Sequence, residues 1–179
     1  MIQIALLRAI NVAGHQPVAM SDLRNLLSEL GFAQPQSLLQ SGNLIFDAGK
    51  NAGPALERLL ERAMAARLDL RTDVLIRSAA EWASIVARNP FRNDAGRDPA
   101  RLVVVFLKAK PSTNAFAELK AAITGPETVE GDGQQAYIVY PDGIGRSRLT
   151  AALIERKLAT RGTARNWNTV MKLAALAEV

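Results

Sequence analysis

The feature that most constrains this chain is an order of hydrophobic periodicities that runs through the same cycle twice. IQIALLRAI (2–10) reads as a strand, after which Leu23, Leu26, Leu27 and Leu30 fall at helical spacing, with Ser21 as the expected cap and Gly31 as the stop. SLLQSGNLIFDA (37–48) reads as two strands or one bent strand. A second helix is expected from Pro54 through Leu56, Leu59, Leu60, Ala63 and Met64, followed by a short strand in TDVLIR (72–77). Ser78 and Glu81 have capping-box spacing, opening a connecting helix with Trp82, Ile85 and Val86 inward and Asn89-Pro90 at its end.

The polar stretch NPFRNDAGRDP separates this cycle from its repetition. RLVVVFLKA (101–109) is a continuous apolar run suited to a central strand, Phe116, Leu119 and Ile123 mark a helix, and PETVEG and QAYIVY read as two strands joined by a glycine-containing turn. RSRLTAALIERKLA then gives a helix beginning near Ser147, a short TAR stretch follows, and the last helix runs through Val170, Leu173, Ala174 and Ala177. The order βαββαβ is the ferredoxin-like signature. The expected fold class is therefore α+β, with two tandem ferredoxin-like units: residues 1–90 with the connecting helix, a linker at 91–100, and residues 101–179 with the C-terminal helix.

Composition narrows the chemistry. The chain has no cysteine and a single histidine, His15, which removes disulfides, thiol nucleophiles, thiolate zinc sites and histidine-rich metal sites; no metal and no cofactor are expected. No apolar run approaches the roughly 20 residues that span a membrane, and MIQIALLRAINV carries no basic leader, so the expectation is a cytoplasmic protein with no membrane partner. The net charge is +5, and its distribution is uneven. Residues 1–98 hold 11 Lys/Arg against 10 Asp/Glu, whereas Arg146, Arg148, Arg156, Lys157, Arg161, Arg165 and Lys172 face only Glu155 between residues 146 and 172.

GDGQQA (131–136) fits a dinucleotide-loop pattern formally but enters a strand, so a hairpin turn is the stronger reading. PDGIGRSR (141–148) leaves a strand and leads to a helix, so Gly143, Gly145, Arg146 and Ser147 form a candidate phosphate cradle, or else a tight turn capped by Ser147. In RNWNTV, Asn166 or Asn168 is expected to cap the last helix with Trp167 beneath it, while Arg165, Asn166, Asn168 and Thr169 could present donors to an anion. Arg8, Asn11, Ser41, Gly42 and Asn43 form a comparable set in the first unit, as turn formers or as site residues. An RNA-recognition motif is a poor match, because Tyr137 and Tyr140 lie on opposite faces of their strand. His15 has no serine or cysteine at a partner spacing, and no acidic pair suggests a carboxylate dyad.

Several of these stretches resemble a bacterial family catalogued as a domain of unknown function, number 1697. LLRAINVAGHQPVAMSDLRNLLSELGF resembles its opening motif, LLQSGNLIF its second, and YPDGIGRSRL with TARNWNTVMKL its C-terminal pair. The resemblance implies an α+β architecture similar to two ferredoxin-like subdomains, and it implies no activity. It places Arg8, Asn11, Ser41, Gly42, Asn43, Arg146, Ser147, Arg165, Asn166 and Asn168 at motif positions. The chain departs from the family in carrying Ala9 and Ala13 where glycines are expected.

The leading expectation is a binding protein for an anionic ligand, a nucleotide or nucleic acid, held by the basic C-terminal unit, with Arg146 and Arg165 pairing with phosphate. The alternative is an enzyme acting on a small phosphorylated or carboxylated molecule in a cleft between the units, and a third is a self-associating homo-oligomer.

Overall fold

A computed structural model describes residues 1–11 and 17–178. The chain divides into two compact units, one formed by Met1–Ala87 with Lys172–Val179 and the other by Arg88–Met171. The first contains β1 (Ile2–Leu7), α1 (Met20–Glu29), β2 (Ala33–Leu38), β3 (Asn43–Asp47), α2 (Gly53–Leu68), β4 (Val74–Ser78) and α3 (Ala79–Ala87). The second contains α4 (Arg92–Arg97), β5 (Leu102–Leu107), α5 (Ala115–Ala121), β6 (Thr128–Asp132), β7 (Gln135–Val139), a turn of 3-10 helix over Ile144–Arg146, α6 (Ala151–Leu158) and β8 (Gly162–Asn166). The last helix, α7 (Trp167–Leu176), follows β8. Among the described residues no helix is long and apolar enough to cross a membrane.

The fold is α+β, with two four-stranded antiparallel sheets of the same plan, ordered β2-β3-β1-β4 and β6-β7-β5-β8. In each unit the first strand is central, pairing with the third and the fourth. This explains why LVVVFL is a continuous apolar run and why IQIALL is interrupted only by Gln3, which is itself buried. Ala5 and Leu7 join the core beneath α1 and α2, yet Ile4 and Leu6 on the opposite face are equally buried. Likewise Val103, Val105 and Leu107 join the core with Leu119 and Ile154, while Leu102, Val104 and Phe106 are buried on the other face. Of the apolar positions expected for the last helix, Val170, Leu173 and Ala174 of α7 are buried, as is Ala177 just beyond its end.

Local signals account for most boundaries. Ser78 and Glu81 make the capping box: the Ser78 amide donates to Glu81 Oε2 (2.7 Å) and the Glu81 amide to Ser78 Oγ (3.2 Å). GDGQQA is a hairpin, with Asp132 opposite Gln135 and Gly133 at φ 62° in the two-residue turn.

Three boundaries differ from the sequence expectation. α1 starts at Met20 after Ala19, with no side-chain cap, so Ser21 lies inside the helix. β2 occupies AQPQSL, upstream of the expected run; it is an edge strand with a bulge between Ala33 and Gln36, where Pro35 and polar side chains are tolerated because one flank has no ladder to complete. The cap of α6 lies three residues beyond its Ser147 signal, at Thr150, whose Oγ1 accepts from the Leu153 amide (3.3 Å), and the helix starts at Ala151. The stretch 91–100, read as a linker, carries the short helix α4.

Candidate functional site

β7 and β8 both run antiparallel to β5, so their C-terminal ends lie together at the start of β5: Val139 pairs with Leu102 and Asn166 with Val103. The Tyr140 amide donates to the Arg101 carbonyl (2.9 Å) and the Trp167 amide to the Pro99 carbonyl (3.2 Å). The loop with Gly143, Gly145, Arg146 and Ser147 and the helix start with Asn166 and Asn168 thus fall at one end of the second sheet. Their polar groups are used differently from a phosphate cradle. Ser147 Oγ donates to the Glu127 carboxylate and accepts from the Leu149 amide (2.9 Å), which sets an acid against the turn. Gly143, at φ 84°, serves the backbone, and Arg146 is exposed.

Asn166 is the cap of α7, its Oδ1 accepting from the Thr169 amide and hydroxyl, both at 3.0 Å; Asn168 is exposed and Trp167 is buried. Arg165 does not present a cation to solvent. It is 7% exposed on β8, and its Nη1 donates to Thr163 Oγ1 and the Ala164 carbonyl, both at 2.8 Å. Burial pushes its pKa down to about 10, which still leaves it charged at neutral pH. The expected pairing of Arg165 with phosphate therefore has no exposed guanidinium to use. Tyr137 and Tyr140 are 1% and 2% exposed, so neither offers a face to a base.

The first-unit set gathers where β1 ends. Asn11 Nδ2 donates to the carbonyls of Val18 (3.1 Å) and Gln40 (2.8 Å), and its Oδ1 accepts from the Val18 amide (2.8 Å), pinning two loops. Asn43 Nδ2 donates to the Leu38 carbonyl (2.8 Å) and to Ser41 Oγ (3.1 Å), closing the β2–β3 turn. Gly42, at φ 77°, serves the same turn; its carbonyl accepts from the Leu7 amide (2.8 Å) and a Cβ there would lie 2.7 Å from Ile10 Cδ1. The Arg8 amide donates to the Asp73 carbonyl (3.0 Å) and its carbonyl accepts from Thr72 Oγ1 (2.6 Å). Ala9 adopts φ 52° despite its side chain, in the conformation a glycine would favour. Ala13 and His15 lie outside the described residues.

At the opposite end of the second sheet is a feature that no sequence motif marks. An open concavity of about 600 Å³ is lined by Lys108, Glu155, Arg156, Thr160 and Arg161 with Ala152 and Ala159. Hydrogen bonds from backbone amides fix the chain that lines it: the Lys108 amide donates to the Arg161 carbonyl (2.8 Å), the Ala109 amide to Thr160 Oγ1 (3.0 Å), and the Gly162 amide to Glu155 Oε1 (3.0 Å). Its cations come from the end of β5, from α6 and from the α6–β8 connection, positions 53 residues apart at their extremes (161 less 108), so only strand pairing assembles them. Among the described residues no group of three or more His, Asp or Glu side chains is placed to hold a metal ion.

The model of the family described as "Protein of unknown function (DUF1697)" matches residues 1–137. A solved structure of a conserved bacterial protein from Streptococcus pneumoniae is similar with a TM-score of 0.76 at 20% identity, covering 98% of each chain. At that identity the likeness shows a common fold. No curated protein matches the sequence.

Proposed function

The chain belongs to the family of proteins of unknown function DUF1697, and from that premise and the geometry above we propose that it binds a phosphate-bearing ligand, a nucleotide or nucleic acid, through its basic second unit. One observation carries this reading. Arg146, Arg148, Arg156 and Arg161 of that unit are all exposed, while Glu155, the single acid of residues 146–172, accepts a backbone amide with its carboxylate. A surface of this kind attracts polyanions and releases their counterions on binding. Reading each unit as ferredoxin-like rests on the βαββαβ order with the first strand between the third and fourth.

The test is fluorescence anisotropy of a labelled single-stranded RNA across a salt series, with a nucleoside diphosphate as competitor. Wild type should bind with an affinity that falls steeply with salt, and replacing Arg146, Arg148, Arg156 and Arg161 by alanine should flatten the slope by about one for each phosphate that is no longer neutralised. Failure of RNA and nucleotide alike to bind at low ionic strength would sink the proposal.

A further inference from the structure

The two units can be matched by their hydrogen bonds as well as by their strand order. After the first strand, the Arg8 amide bonds to the Asp73 carbonyl in one unit and the Lys108 amide to the Arg161 carbonyl in the other. The residue before that carbonyl is a threonine in both, Thr72 and Thr160, whose hydroxyl turns onto the following carbonyl at 3.3 and 3.4 Å. A helix carboxylate accepts the first amide of the fourth strand in both, Glu61 from Val74 (2.9 Å) and Glu155 from Gly162 (3.0 Å). Each glutamate is followed by an arginine, Arg62 and Arg156.

Position by position, the first unit sets Arg8 and Arg62 with Asp73 and Glu61, two charges of each sign. The second unit keeps the scaffold, carries Lys108 in place of Arg8, and reverses one charge: the equivalent of Asp73 is Arg161. Across these four positions Lys108, Arg156 and Arg161 then accompany one acid, Glu155, and the balance moves from zero to +2. Like charges on neighbouring strand ends repel, and here they line an open concavity of about 600 Å³, a volume within the range of small-ligand sites. We infer that this concavity is a phosphate site, in which Arg156, Arg161 and Lys108 hold the oxyanions of a nucleotide or of a nucleic-acid strand. Arg156 and Arg161 suit this role because guanidinium donors meet phosphate oxygens two at a time, and Lys108 adds a point charge from the third side.

The inference rests on the proposed function and gives it a location, so its test separates the two. Arg161→Asp restores the side chain that the first unit already carries on the same backbone bonds, which protects the fold; Arg156→Ala is an exposed truncation. Wild type, Arg161→Asp, Arg156→Ala and the double variant Arg146→Ala with Arg148→Ala are titrated with ADP by calorimetry and with labelled single-stranded RNA by anisotropy, circular dichroism checking the fold of each. The expected result is a loss of about tenfold or more for Arg161→Asp and for Arg156→Ala, the order expected for removing a charge-assisted hydrogen bond, and a smaller loss for the Arg146/Arg148 variant, whose arginines share the basic surface but do not line the concavity. ADP affinity with weak RNA binding assigns the phosphate to a nucleotide, and the reverse assigns it to a strand. If the Arg146/Arg148 variant loses binding and the concavity variants keep it, the location is wrong and the proposed function stands. If wild type binds neither probe, both fall.

Discussion

Single residues in this chain owe their identity mostly to the backbone around them. Gly42 is a direct case: its positive φ disfavours a side chain, and a Cβ would lie 2.7–2.9 Å from Leu7 and Ile10 atoms. Gly42→Ala should therefore destabilise the protein by about 2–3 kcal/mol, combining left-handed backbone cost with overpacking, measured as a lower urea midpoint. Arg165 makes the complementary point. Its motif position invites a binding role, but its guanidinium is turned onto its own strand. Arg165→Ala should cost about 1–3 kcal/mol by leaving buried acceptors without donors, and should leave the salt slope of RNA binding unchanged. A flattened slope in a folded Arg165→Ala protein would contradict that burial.

At the scale of elements, the informative residues are caps. Asn166 and Asn168 are equivalent in sequence chemistry, and only one holds a helix end. Asn166→Ala should lower stability by about 1 kcal/mol, and Asn168→Ala by less than about 0.5 kcal/mol as an exposed position, both read from urea melts. Equal losses would show that the α7 cap is shared. Helices were legible because an apolar stripe and a cap are local properties, as Leu23, Leu26 and Leu27 or Ser78 with Glu81 illustrate. β2 was legible only in part, since an edge strand needs neither alternating burial nor an unbroken run of amide donors. Ser147 is the cap of the turn and not of the helix: its hydroxyl accepts from the Leu149 amide, ahead of α6, while donating to Glu127.

At the scale of the whole molecule, both tyrosines of the chain are enclosed and hold their protons above the ordinary value of 10.0. Burial raises Tyr137 to about 12, with Asp132 adding to it and Arg88 opposing; burial with Glu127 nearby raises Tyr140 to about 12. The unfolded chain releases these protons near 10.0, so the stabilisation is fully present below that pH and is lost as pH rises through about 12. A pH titration followed by tyrosinate absorbance and circular dichroism together should show no tyrosinate signal near pH 10 and a rise that coincides with unfolding. A normal titration in the folded state would contradict the enclosure. The sequence alone carried the two-fold βαββαβ cycle, apart from the extent of β2 and the short helix α4, together with the concentration of basic residues near the C-terminus, because apolar periodicity and charge are read from neighbouring positions. What only the tertiary structure decided was which cations are exposed: strand pairing turned Arg165 inward and set Lys108 beside Arg161, and the side chain exchanged between two equivalent backbones left that end of the second unit with a charge its counterpart balances.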